Sequence, residues 1–309
     1  MKKLVKALSV ILVLAVFTVM AMGSGSATDP GEIKTPQSVT TAPKEPEAKP
    51  AESTSVPEKT TPGVTVNEAV LVDQGGIRIT VKGLDLDGWA GPSLKLLLEN
   101  DTSRGVTVQC RNESVNGYMV ETMMSTDLAT GKKANDTLTF QKSYLERAGI
   151  DTIADMEFSF HIFDSETWDT IFDTDQIRVE TSAAPGFEYK FDDSGFPAYN
   201  ENGLEIVIKG LSANDSWAGP SVMVFIRNNS GTDLGVQVRD VSINGFMVDP
   251  MFSCDVINGK CAVDSITFMS SQLEQNDIKE IKDIELSFHV FRMDNWDTIV
   301  DTPVVTISF

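Results

Sequence analysis

The chain has 309 residues, a net charge of −20 at pH 7 and an isoelectric point near 4.4. That acidity argues against nucleic acid and anionic membrane surfaces as partners, since both carry phosphate charge. It favours solubility, and it permits cation binding without requiring it.

In chain order, Lys2, Lys3 and Lys6 precede an apolar run from Ala7 to Met22, and small residues follow from Gly23 to Ala27. This is the pattern of a secretory signal peptide over 1–27, with cleavage after Ala27 or, alternatively, after Gly23. The apolar run is slightly short for a membrane span, which needs about 20 residues. An uncleaved membrane anchor is the alternative, and contact with a membrane is expected only in that case. No cysteine stands near the segment for lipid attachment. Loss of the three leader lysines takes the charge from −20 to −23. The expected location is extracytoplasmic, secreted or at the cell surface.

Residues 28–65 are rich in Thr, Pro, Ser, Glu, Lys and Ala, with almost no large apolar side chains. Such a stretch buries too little surface to offset its conformational entropy and reads as a disordered linker. Beyond it the sequence occurs twice. Residues 89–174 align without a gap on residues 217–302 at an offset of 128, with 40 of 86 positions identical. The implied organisation is two β-sandwich repeats, 66–182 and 197–309, joined by an inter-domain linker at 183–196. Each repeat is long enough for a core of its own.

Within each repeat the apolar pattern has period two, the strand period. Ile77, Ile79 and Val81 alternate with Arg78, Thr80 and Lys82, and Leu204, Ile206 and Ile208 recur at the same spacing. Leu94, Leu96 and Leu98, which alternate with Lys95, Leu97 and Glu99, then Val106, Val108 and Cys110, continue the period. Asn116-Gly117 and Asn244-Gly245 are hairpin-turn signals. Ser143 with Glu146, and Ser271 with Glu274, fit a capping box opening one short helical turn, with Leu145 and Leu273 facing the core. Phe158, Phe160 and Ile162 form a further strand, and one last run extends from Ile171 to Val179. About seven short strands separated by turn residues predict an all-β fold of two tandem immunoglobulin-like antiparallel sandwiches, with a barrel as the alternative.

Asn100-Asp-Thr and Asn228-Asn-Ser close one strand of each repeat. Gly131-Lys132 and Gly259-Lys260 then precede Leu138-x-Phe140 and Ile266-x-Phe268. These residues resemble the telokin-like, immunoglobulin-fold domains of exported Gram-positive bacterial proteins. The resemblance implies fold and compartment, and brings no catalytic residues.

Three cysteines leave an odd one. Cys254 and Cys261 flank the Asn258-Gly259 turn, and an extracytoplasmic setting would allow them to pair, subject to geometry. Cys110 reads as a buried apolar thiol. Asp85-Leu86-Asp87-Gly88 opens like a calcium loop, but the distal bidentate acid is missing. Asp169 and Asp173 fall on one strand face about 13 Å apart, too far to share an ion. His161 and His289, the only histidines, lack the convergent partners of a metal or acid–base site. No cofactor is expected. There is no Gly-x-Ser-x-Gly elbow, phosphate-binding glycine loop or His-Glu-x-x-His motif, so no catalytic residue is assigned.

What remains is a non-catalytic binding or spacer protein acting on a protein or cell-envelope component. The expected contact surface is the outer sheet face carrying Phe163 and Phe291, His161 and His289, and Leu97 and Phe225; a second layer covering Leu97, Phe163, Phe225 and Phe291 is the alternative. The alternative is a carbohydrate-binding module with tryptophan platforms at Trp168 and Trp296, or at Trp89 and Trp217. An extracellular hydrolase is the third reading.

Overall fold

The structure is a computed structural model and describes residues 63–309, Trp217 excepted. The expected signal peptide and nearly all of the 28–65 linker lie outside the described residues. Thr65, the last residue of that linker, exchanges hydrogen bonds with Ser182: the Thr65 N–H donates to Ser182 Oγ and the Ser182 N–H to the Thr65 carbonyl.

The first half contains β1 (Ala69–Gln74), β2 (Ile77–Asp85), β3 (Ser93–Asn100), β4 (Val106–Val115), β5 (Tyr118–Met119) and β6 (Thr122–Met123). It continues with β7 (Ser125–Leu128), β8 (Lys132–Phe140), α1 (Lys142–Arg147), β9 (Asp155–Asp164), β10 (Thr170–Asp173) and β11 (Ile177–Glu180). The second half contains β12 (Phe196–Glu201), β13 (Leu204–Ser216), β14 (Gly219–Asn228), β15 (Leu234–Ile243) and β16 (Phe246–Met247). It ends with β17 (Ser253–Val256), β18 (Lys260–Thr267), α2 (Ser270–Gln275), β19 (Asp283–Arg292), β20 (Thr298–Asp301) and β21 (Val305–Ser308).

These strands build an all-β fold of three sheets. One has the order β1-β2-β3-β8-β6. A ten-stranded sheet runs β10-β9-β4-β5-β18-β14-β13-β12, with β11 also on β9 and β7 also on β4. The third runs β16-β15-β19-β20, with β17 on β15 and β21 on β19. Pairing is antiparallel except where β5 meets β18. The inward side chains are those of the alternating runs: Ile77, Ile79, Leu94, Leu98, Phe158, Phe160 and Ile162 are fully buried, as are Ile206, Val224 and Val290. Apolar side chains of facing sheets fill the interior, which fits a β-sandwich.

The Trp-Ala-Gly-Pro loop has a backbone reason. Gly91 sits at φ +136°, and a Cβ there would lie 2.0 Å from the Phe140 carbonyl oxygen; at Gly219 (φ +149°) it would lie 2.1 Å from that of Phe268. Only glycine lets the loop approach the end of β8 or β18 this closely. The Phe140 N–H donates to the Pro92 carbonyl and the Phe268 N–H to that of Pro220. The Asn-Gly turns form as their sequence predicts, with φ +51° and +83° at Asn116-Gly117 and +51° and +82° at Asn244-Gly245.

Two local expectations need correction. Neither serine caps a helix: α1 is preceded by Gln141 and α2 by Met269, with no side-chain cap bond at either. The Lys142 N–H is already bound by the Ala90 carbonyl and the Ser270 N–H by that of Ala218, so each helix starts before its serine. Leu145 and Leu273 are buried as expected. The run from Ile171 to Val179 is two strands, both on β9, because Thr174 breaks away and its hydroxyl accepts the Phe160 N–H at 2.8 Å.

Each half has a core cluster of its own, and the first half's extends across the boundary. Val207, Phe225 and Val263 from the second half belong to the cluster built on the first. Residues 183–196, expected to be a linker, are tied down at this seam. The Phe191 N–H donates to the Tyr118 hydroxyl at 2.9 Å, and the Phe191 ring stacks on Phe225 with centroids 5.8 Å apart. Arg147 pairs with Asp264 and Lys260 with Glu157 across the seam.

Candidate binding surface

The turn after β9 builds the most distinctive local structure. Asp164 Oδ1 accepts the N–H groups of Glu166 and Thr167, its own N–H donates to the Asp169 carbonyl, and the Trp168 N–H donates back to the Asp164 carbonyl. Those two backbone N–H bonds, helped by Arg104, hold the Asp164 carboxyl below its ordinary pKa. The closed turn forces Trp168 to φ +64°. Its counterpart after β19 closes through Arg292, Trp296 and Asp297 and puts Trp296 at φ +66°. A bulky side chain in the left-handed region is strained, by about 1–3 kcal/mol.

That conformation lays each indole on the sheet. Trp168 stacks on Phe163 and Trp296 on Phe291, and each phenylalanine in turn lies beside a histidine, His161 at 5.2 Å and His289 at 5.5 Å between centroids. The β9–β10 register puts Asp173 opposite His161, and the β19–β20 register puts Asp301 opposite His289. An N–H at each Nδ1 donates to the aspartate, with Nδ1 to Oδ1 distances of 2.5 and 2.6 Å. A four-residue ladder of Trp, Phe, His and Asp thus occurs twice.

Within the ladder only the tryptophan and the aspartate face water. Trp168 and Trp296 are 59% and 66% exposed, whereas Phe163, Phe291, His161 and His289 are buried. The open aromatic and histidine face expected from strand alternation is therefore covered by the indoles, whose position depends on a positive φ that alternation does not encode. Phe225 is fully buried too, because the linker and the first half cover it. Leu97 is half-buried on β3, in a different sheet from Phe163, so the two do not form one surface. Trp89, 94% exposed, projects from the Trp-Ala-Gly-Pro loop.

The remaining sequence candidates are structural. All three cysteines are free. Cys254 and Cys261 do not pair because β17 and β18 separate after the Asn258-Gly259 turn and join different sheets. Cys254 turns into the second core and Cys261 toward the seam. Burial pushes all three thiols above their ordinary pKa, which disfavours the reactive thiolate. The calcium-like opening is internally satisfied: Asp85 accepts the Asp87 N–H and pairs with Lys95 at 3.1 Å. Among the described residues, no group of three or more His, Cys, Asp or Glu side chains converges to hold a metal. No helix among them is long and apolar enough to cross a membrane.

Sequence reasoning missed Asp173 and Asp301 as histidine partners, although both lie at +12 from their histidine. It also missed Tyr118, Phe191 and Arg147, which make contacts across the seam.

No family model matches this chain, and no curated protein matches it. Among solved structures, the YadV chaperone is similar at 12% identity and a TM-score of 0.22, covering 70% of this chain and 92% of that one. Red sea bream transglutaminase is similar at 9% identity and a TM-score of 0.20, covering 79% of this chain and 31% of that one. Likeness at this level carries no argument about function.

Proposed function

We propose that this chain is a non-catalytic, extracytoplasmic binding or spacer protein composed of two tandem immunoglobulin-like β-sandwich units, and that it contacts a protein or cell-envelope component through Trp168 and Trp296. The observation that carries this reading is the repeated indole: two large aromatics, each mostly exposed, each held at a strained φ and each backed by a buried phenylalanine. Rigid aromatic anchors of this kind dominate binding energy at interfaces, because little side-chain entropy remains to be lost. Two equivalent anchors on one chain add avidity toward a repetitive partner. The covered histidines and phenylalanines then act as the base of the platform.

The carbohydrate reading gains from the same exposure. With its inner face on phenylalanine, each indole has its outer face available for stacking on a sugar ring.

The deciding experiment measures binding of the chain to isolated envelope fragments, with Trp168→Ala, Trp296→Ala and the double variant compared with wild type. The double variant should bind at least about tenfold more weakly, and each single variant less severely. Equal binding by all four proteins would reject the platforms. A glycan array with the same proteins separates the readings: tryptophan-dependent capture of a glycan identifies a carbohydrate ligand, and a blank array alongside tryptophan-dependent envelope binding identifies a protein.

A further inference from the structure

The two halves differ in what covers one edge. In the first, β5 lies inside the ten-stranded sheet, between β4 and β18, and Tyr118 is buried. Its counterpart at +128 is β16, which ends the third sheet; there Phe246 is 48% exposed and Met247 67% exposed. The structure thus contains both the docked and the undocked form of one edge. An apolar strand edge left open is a template for pairing.

The docked form shows what such an edge takes. Tyr118 pairs with Cys261 beside the outer face of β13, β14 and β18, where Val207, Phe225 and Val263 are aligned in register. Its ring also meets Tyr189 and Phe191 of the 183–196 segment, and Met119 packs on the second half's own core. The corresponding face on the first half is formed by Thr80, Leu97 and Asn135, also in register, and is flanked by Lys95 and by Lys133, which pairs with Glu99. That face is polar apart from Leu97. A second copy therefore presents no apolar sheet face: one is polar and the other is already covered.

We propose that the Phe246–Met247 edge is a docking edge for a different β-sandwich protein, one presenting an apolar sheet face of the Val207–Phe225–Val263 kind. Binding would repeat the contact between the two halves: a short strand pairing at β16, with Phe246 seated against an aromatic and a β-branched residue. It is independent of the tryptophan platforms, which lie at other positions on the fold.

The test supplies the missing face on the chain itself. Lys95→Met, Leu97→Phe and Asn135→Val give the first half's outer face the second half's residues at three positions, with Thr80 and Lys133 kept where the second half has Val207 and Cys261. In sedimentation velocity the wild type should remain monomeric over a concentration series, whereas the triple variant should form head-to-tail dimers and longer species. Adding Phe246→Ser and Met247→Ser should abolish them. A folded triple variant that stays monomeric overturns the proposal, and so does assembly that survives the edge substitutions. Wild-type chains that associate through this edge overturn it as well, since the occupant would then be a second copy. Circular dichroism verifies folding. Should the triple variant misfold, Leu97→Phe with Asn135→Val, which keeps the Lys95–Asp85 pair, decides by the same outcomes.

Discussion

Trp168 lies face to face with Phe163, with ring centroids 5.5 Å apart and planes 19° apart, and Trp296 repeats this on Phe291 at 5.1 Å and 14°. Each tryptophan thereby serves two purposes, shielding a phenylalanine with one face and presenting the other to solvent. The energetic cost is a left-handed backbone at a bulky residue; the gain is an aromatic contact worth about 0.5–1.5 kcal/mol beyond area burial.

These terms oppose each other, so substitution separates them. Trp168→Ala is expected to destabilise the fold by about 1 kcal/mol, since the contact is lost while a Cβ still occupies the strained region. Trp168→Gly should lose less, because glycine adopts positive φ freely. A double-mutant cycle with Phe163→Leu, read by urea denaturation, should give a coupling of about 0.5–1.5 kcal/mol.

Gly91 and Gly117 both have positive φ, yet they should respond differently to alanine. A Cβ on Gly91 meets the Phe140 carbonyl, whereas one on Gly117 meets nothing within 4 Å. Gly117→Ala should cost about 1–2 kcal/mol of conformational strain alone. Gly91→Ala adds displacement of the Phe140 carbonyl and should cost clearly more than Gly117→Ala. Thermal melts of the two variants give the comparison, and equal costs would refute the close approach.

The contacts across the seam are expected to couple the unfolding of the two halves. Calorimetry of the wild type should show a single transition. Phe225→Ala removes a fully buried ring from between Phe191 and the first half's cluster. It should cost about 3–5 kcal/mol and split the transition in two. A wild type that already melts in two steps would mean that the seam contributes little.

Asp264 gives the seam a pH dependence. Its burial raises the carboxyl pKa, with Arg147 opposing the shift in part. Because the folded state holds this proton more tightly than the unfolded chain, Asp264 contributes stability at acid pH that is lost as pH rises from the unfolded value through the raised folded value. Asp264→Asn removes the titration. The stability of the wild type relative to this variant should therefore fall as pH rises from the ordinary aspartate range through the raised folded value. Denaturation midpoints of both proteins across that range measure the slope; a difference that rises with pH contradicts the assignment.

Much of the fold was legible because it depends on local rules. Alternation at Ile77, Ile79 and Val81 identifies core positions, since successive strand side chains point to opposite faces. Asn116-Gly117 specifies its own turn through two positive φ angles. The candidate surface was legible only as a set of residue types. Phe163 falls on the outward side of its strand, where alternation allows either a covering layer or an open patch, because nothing in the alternation announces that Trp168 will fold back over it.

The sequence by itself determined that these residues form strands, where the turns fall, and which motifs occur twice. Those properties follow from backbone sterics and side-chain polarity acting over a few positions. Only the tertiary structure decided which of two equivalent surfaces is open. Phe225 and Leu97 occupy matching strand positions, as do Tyr118 and Phe246, yet one of each pair is buried at the seam and the other is not. That difference arises because the seam joins the trailing edge of one half to the leading face of the next. Chain order thus buries one copy of each surface and leaves its counterpart free.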